Sequence, residues 1–296
     1  MNNLAYYFNI LKKGVYCAYI NVICNFMENT TLTEIVQRQL KSIPKIRSYT
    51  CIFLKNKNDY KQHGTGVFVK IESKYFLFTA AHVLDDIEDI FIPLNKGADL
   101  LKPGGEIITN HPTTRRENDE LDLGILILDE LSIQDISNHY LFLESEDIQI
   151  NHNSSNFLNY LIFGYPSTWS KKSITKKSFR TRPFIHQTKC IKKEDYTKYN
   201  RKEFLNLIVE YDRQNTINLK SQSLSFGPNL FGISGCGLWY LNPMNLASNP
   251  KLIGIMNEWS IENRNKLFAT RIDAYTEMLR NNKIITFTES SLFGFK

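Results

Sequence analysis

From residue 45 onward the apolar residues come in short runs. They alternate with polar ones, and each run is closed by Gly, Pro, Asn or Asp, as in strands with one buried face. The runs Arg47 to Leu54, Gly66 to Ile71, Tyr75 to Thr79, Ile90 to Leu94, Glu106 to Thr109 and Leu123 to Leu128 predict about six strands before residue 130. A second series follows: Phe157 to Phe163, Pro183 to Ile191, Phe204 to Tyr211, Gly237 to Leu241, Lys251 to Asn257 and Leu267 to Arg271. A crossing segment near Leu131 to Ser155 joins the two series. Ile272 to Asn281, with Tyr275, Met278 and Leu279 on one side, predicts a closing helix. Ahead of the strands, Thr31-x-x-Glu34 fits a capping box, and Leu32, Ile35, Val36 and Leu40 follow helical spacing. The expected fold class is all-β: two packed six-stranded antiparallel β-barrels, with an N-terminal helical extension and a C-terminal helix. The expected limits are 1–44 for the extension, 45–282 for the body and 283–296 for a tail. Within the body, barrel one spans 45–130, barrel two 156–271 and the helix 272–281. No internal repeat or low-complexity linker separates the halves, so one cooperative body is expected.

Composition narrows the partners more than the fold. A chain of 296 residues can bury a substantial core, and 42% hydrophobic with 22% charged residues is ordinary for a globular protein. The net charge of +6 suits a nucleic-acid or membrane surface, and equally a Lys-rich solvated one. No RNA-binding signature or long basic block accompanies it. The densest basic stretch, Lys171 to Arg182, is broken by hydroxyl residues and reads as an exposed loop. Neither nucleic acid nor membrane is therefore an expected partner. The five cysteines (Cys17, Cys24, Cys51, Cys190, Cys236) are scattered and odd in number, which fits neither a disulfide framework nor a paired metal site. They point to a reducing compartment, the cytosol. The apolar stretch Gly14 to Phe26 behind Lys12-Lys13 loosely mimics a signal peptide. It lacks an A-x-A-like cleavage site and is too short to cross a bilayer as a helix. Residues 1 to 26 read as a mobile extension, a packing arm or an upstream start, and all three stay open.

Three segments carry candidate chemistry: Thr79-Ala80-Ala81-His82-Val83, Leu121-Asp122-Leu123-Gly124-Ile125-Leu126 and Gly232-Ile233-Ser234-Gly235-Cys236-Gly237. In order they offer a base, a carboxylate and a hydroxyl nucleophile. A serine hydroxyl needs a neighbouring imidazole to take its proton, and the imidazole needs a carboxylate to fix its tautomer and stabilise its cation. His82 follows two small residues at the end of an apolar strand. His63, His111, His139, His152 and His186 lack that setting and are expected at the surface, with His186 alone near enough in the second barrel to approach a cleft. Ser234 has Gly at −2 and +1. Glycine at −2 lets the backbone turn so that the amides of Gly232 and Ser234 face one oxyanion, each worth roughly 3 kcal/mol. A G-x-S-x-G elbow is absent because Cys236 holds its last position, and its order of Ser, acid, His also fails.

With these residues the chain resembles a trypsin-like (chymotrypsin-fold) serine peptidase, closer to disulfide-free bacterial members than to digestive enzymes. The resemblance covers roughly residues 45 to 282. It includes Gly64-Thr65-Gly66-Val67-Phe68 before the histidine strand, Gly164-Tyr165-Pro166 opening the second barrel, Leu252-Ile253-Gly254-Ile255 after the serine, and Ala269-Thr270-Arg271-Ile272 running into the last helix. The family pattern selects Asp122 over Asp119, Glu120 and Asp129, which is expected to be a solvated turn residue. It implies an acyl-enzyme endopeptidase with Ser234, His82 and Asp122 as its triad, no cofactor, and a protein or peptide substrate. Three positions depart from the secreted form. Val83 replaces the cysteine that often follows the histidine. Ile233 replaces the acid that receives a newly cut amino terminus in zymogens, so regulation by other means, including a protein partner, is expected. Pro228, followed by Asn229, stands where a charge sets preference for Lys or Arg. Cys236 reads as a packing residue. Asn257, Glu258 and Trp259 are candidate substrate contacts on the strand after the serine. A catalytically silent binding module on the same fold and a basic-surface nucleic-acid binder remain the alternatives.

Overall fold

A computed structural model of the chain describes residues 32–292 apart from 57–59, 111–115, 117–118, 174–177, 215, 219–222, 244, 246 and 260–264. The chain divides into one unit over residues 1–41 and a second over residues 42–296. Helix α1 (Leu32–Tyr49) crosses that division and runs directly into strand β1 (Thr50–Asn56). The strand expected from Arg47 thus begins three residues later. The hydroxyls of Ser48 and Thr50 bond back to the carbonyls of Lys45 and Ile46, which keeps this stretch in the helix. The capping residue Thr31 lies outside the described residues, as do Cys17, Cys24 and His111.

Strands β2 (Tyr60–Ile71) and β3 (Lys74–Ala80) follow, then the single turn α2 (Ala81–Leu84). Next come β4 (Ile90–Leu94), β5 (Asp99–Leu101), β6 (Gly105–Thr109) and β7 (Leu123–Leu128). They form a curled sheet of seven antiparallel strands in the order β5-β4-β1-β2-β3-β7-β6. The crossing segment contains helix α3 (Glu130–Ser137) and the two-residue strand β8 (Leu143–Glu144), which pairs with β2 in parallel. Asp129, expected as a solvated turn residue, caps α3 by accepting the Ser132 amide at 2.8 Å.

The second sheet joins β9 (Tyr160–Gly164), β12 (Phe184–Thr188), β13 (Asn206–Glu210), β16 (Gly237–Tyr240), β17 (Lys251–Trp259) and β18 (Lys266–Arg271) in the order β12-β9-β16-β17-β18-β13. Two hairpins stand apart from it: β10 (Ser170–Ser173) with β11 (Ser178–Thr181), and β14 (Thr216–Asn218) with β15 (Ser223–Ser225). The first pair lies in the basic stretch expected to be a loop. Both large sheets are half-barrels rather than the closed barrels expected. In the second, no ladder joins the end strands among the described residues: they meet at one bridge, Cys190 to Val209, and through bonds from the Thr188 and His186 side chains to the Glu210 carbonyl. The closing helix α4 (Ile272–Asn281) forms where expected.

The alternation of side chains gives each half-barrel an inner face. Cys51, Phe53, Phe68, Leu77 and Leu126 fill the first, and Tyr160, Ile162, Leu207, Leu238 and Ile253 fill the second. A third cluster is common to both: Val67, Phe76, Phe78 and Ile125 pack with Phe163, Trp239, Leu252 and Ile255, and with Ile272 and Tyr275 of α4. The halves share one core, which holds the segments between them in fixed register. Among the described residues no helix is long and apolar enough to cross a membrane.

Candidate active site

Strand β3 ends at Ala80, and its ladder with β7 pairs Ala80 with Leu123 and Thr79 with Gly124. That register sets Asp122 beside the first residues of α2. The Ala81 amide donates to the Asp122 carbonyl at 2.8 Å, and the His82 amide donates to Asp122 Oδ1 at 2.9 Å. The other carboxylate oxygen lies 2.5 Å from His82 Nδ1. Asp122 is only 7% exposed and adopts φ +42°, in the left-handed region. Burial favours the neutral imidazole of His82. The hydrogen bond and charge of Asp122, with the charge of Asp85, outweigh it and raise the pKa above its ordinary value.

The second half-barrel grips the segment before Asp122 through backbone carbonyls. Asn257 Nδ2 donates to the Leu121 carbonyl at 3.2 Å, Thr270 Oγ1 donates to the same oxygen, and Asn206 Nδ2 donates to the Glu120 carbonyl at 3.0 Å. From the first half-barrel, Asn110 Oδ1 accepts the Leu123 amide at 2.8 Å while its Nδ2 donates to Asp119. Asp119, which competed with Asp122 by sequence, pairs with Arg116 and does not reach His82.

Ser234 sits in the turn before β16. Its hydroxyl donates to the Asn257 carbonyl at 3.5 Å. His82, Ser234, Gly232 and Asn257 all line one cavity of about 370 Å³, together with Gln62, His63, Ser167, Leu230, Phe231, Ile233 and Met256. His82, with Asp122 bonded to its Nδ1, and the Ser234 hydroxyl therefore approach one cavity from two sheets. Gly235 at φ +88° follows the serine. A Cβ there would lie 1.9 Å from the Thr65 carbonyl oxygen, so only glycine fits.

The amides of this turn divide sharply. Ile233 donates to the Leu230 carbonyl, Gly235 to Met256 and Cys236 to Ile233. Among the described residues, the amides of Gly232 and Ser234 have no acceptor. These are the two N–H groups expected to face an oxyanion.

The remaining predicted residues divide as follows. Asn257 reaches the cavity. Pro228 is buried outside its lining, with its carbonyl accepting from Tyr211 Oη at 2.9 Å, and Asn229 also lies outside it. Glu258 and Trp259 continue β17 opposite Phe268 and Leu267, but their side chains lie outside the described residues. Cys236 is fully buried, in keeping with a packing role.

Three histidines expected at the surface are not there. His63 lines the cavity, and burial lowers its pKa. His152 is 5% exposed with Nε2 3.0 Å from Tyr160 Oη, and burial pulls its pKa down to about 4. His186 bonds the Glu210 carbonyl and stacks on Phe184, away from the cavity. His139 is exposed. Sequence reasoning missed Gln62, His63, Ser167, Leu230, Phe231 and Met256 as cavity residues. The Gly64-Thr65-Gly66 motif beside Gln62 and His63 on β2 is the one local hint. Among the described residues, no group of three or more His, Cys, Asp or Glu is placed to hold a metal ion.

No protein-family model matches the chain, and no curated protein matches it.

Proposed function

We propose that the chain is a serine endopeptidase of the trypsin-like, chymotrypsin-fold kind that hydrolyses peptide bonds through an acyl-enzyme. The observation that carries this reading is the convergence on one cavity of a His82–Asp122 pair from the first half-barrel with the Ser234 hydroxyl and two unconsumed amides from the second.

The hydroxyl of Ser234 turns from the Asn257 carbonyl to His82 Nε2, loses its proton there and attacks the substrate carbonyl. Asp122, bonded to Nδ1, keeps the imidazole in the tautomer that presents a free Nε2 and supports the cation that forms. The amides of Gly232 and Ser234 receive the oxyanion. His82 then passes its proton to the leaving amine, and water repeats the sequence on the acyl-enzyme. Leu230, Phe231, Ile233 and Met256 give the cavity an apolar wall, which supports an uncharged residue next to the cleaved bond rather than Lys or Arg. Cys51, Cys190 and Cys236 are free and buried, which supports a cytosolic protein.

A fluorophosphonate probe tests the reading, because it reacts only with an activated hydroxyl. The full chain is expected to be labelled and Ser234→Ala to be silent. Labelling that survives Ser234→Ala, or a folded wild-type chain that takes no label, refutes it; the second result leaves the silent binding module.

A further inference from the structure

The two free amides have directions as well as vacancies, and the anchors that fix those directions lie largely outside the turn. A trans peptide is planar, with its N–H and C=O pointing opposite ways, so holding the carbonyl aims the amide. The Gly232 amide shares its peptide with the Phe231 carbonyl, which accepts the Ser167 amide at 2.7 Å. The Ser234 amide shares its peptide with the Ile233 carbonyl, which accepts the Cys236 amide at 2.9 Å. Between them, the Gly232 carbonyl accepts Thr65 Oγ1 at 3.0 Å and Gln62 Nε2 at 3.2 Å. The Ser234 carbonyl accepts the Thr65 amide at 2.8 Å. Four consecutive peptides are thus held at their carbonyls, and Thr65 holds the two that flank the peptide of the Ser234 amide, fixing that amide through its neighbours.

Thr65 and Gln62 are themselves fixed. Thr65 is fully buried, and its own carbonyl accepts Thr79 Oγ1 at 2.8 Å. Gln62 Nε2 also donates to the Tyr165 carbonyl, and its Oε1 accepts from Ser170 Oγ. Both belong to β2 in the first half-barrel, so the strap runs from one sheet to the turn of the other.

We propose that Thr65, assisted by Gln62, is the positioning residue that sets the oxyanion turn. The strap takes the place of a buried amine–carboxylate pair, for which Ile233 offers no acid. This rests on the serine-hydrolase reading above, and it implies a turn in its working geometry in the uncleaved chain.

The test uses the full chain with p-nitrophenyl acetate for acylation kinetics, a fluorophosphonate for labelling at Ser234, and thermal unfolding for stability. Thr65→Val keeps the shape and the backbone amide but removes the hydroxyl. It is expected to lower the acylation rate constant about 10- to 100-fold with little change in apparent substrate affinity, because only the transition state uses the oxyanion donors. Thr65→Ser keeps the hydroxyl and loses a packed methyl. It is expected to unfold at a lower temperature yet acylate at close to the wild-type rate. A merely structural Thr65 would reverse that order, with Thr65→Ser the more impaired. Gln62→Met, which removes the second donor to the Gly232 carbonyl, repeats the test at an independent position. Wild-type labelling combined with unchanged acylation in folded Thr65→Val and Gln62→Met overturns the strap while sparing the triad. A wild-type chain without labelling overturns both.

Discussion

Asp122 occupies a left-handed backbone conformation that a residue with a Cβ adopts at a cost of about 1–2 kcal/mol. The return is geometric: one carboxylate oxygen reaches the His82 amide and the other its imidazole. On the proposed mechanism, His82 must be neutral to accept a proton, and its pKa is raised above 6.5. Acylation by p-nitrophenyl acetate is therefore expected to fall as pH drops through a limb lying above 6.5. Asp122→Asn removes the main group that raises the pKa and leaves burial, which lowers it, opposed only by the charge of Asp85. The limb should move to lower pH while the rate falls about 10⁴-fold. A pH–rate profile of both proteins checks this; a limb that stays in place would separate Asp122 from the chemistry. At this scale the sequence was most legible where a residue's setting is local. Ala80-Ala81-His82 and Gly232-x-Ser234-Gly235 state their own turns. Gln62 and His63 do not, because what they face is decided by the approach of the second half-barrel.

Among the elements, helix α3 shows what a strand-oriented reading passes over. Its eight residues are too few for a clear 3.6-residue period, yet Asp129 caps it, and the Ser132 hydroxyl accepts the Gly104 amide at 2.8 Å. Asp129→Ala leaves the Ser132 amide without its cap and is expected to cost about 1 kcal/mol, measured by urea denaturation as a lower midpoint at unchanged slope. Most strands of the two sheets were readable to within a few residues, since each buries one face and so alternates. The three-residue β5 and the hairpins β10/β11 and β14/β15 were not. Ser170 to Ser173 and Ser178 to Thr181 contain little apolar alternation, and their pairing rests on backbone hydrogen bonds that any sequence can make.

For the molecule as a whole, helix α4 ties the end of the chain to the strand that delivers His82. The Tyr275 hydroxyl donates to the Thr79 carbonyl at 2.6 Å, both residues being buried. Tyr275→Phe leaves that carbonyl unpaired and is expected to destabilise residues 42–296 by about 1–2 kcal/mol. Because both half-barrels share a core, the loss should appear as one shifted transition when followed by tryptophan fluorescence and by circular dichroism. Two separate transitions would contradict a common core. Two sheets were foreseeable from two series of strands. Their incomplete closure was not, because it depends on where edge strands run out of partners rather than on any periodic signal.

The split of the site between two sheets also orders events during synthesis. Ser234 emerges 112 residues after Asp122. At about 5–20 residues per second, the ribosome holds a His–Asp pair with no nucleophile for roughly 10 s. Tyr275 and the last packing helix emerge later still. A nascent or prematurely released chain ending before residue 234 is, on the proposed function, chemically inert, so the danger of an unfinished protease is contained by the order of translation itself.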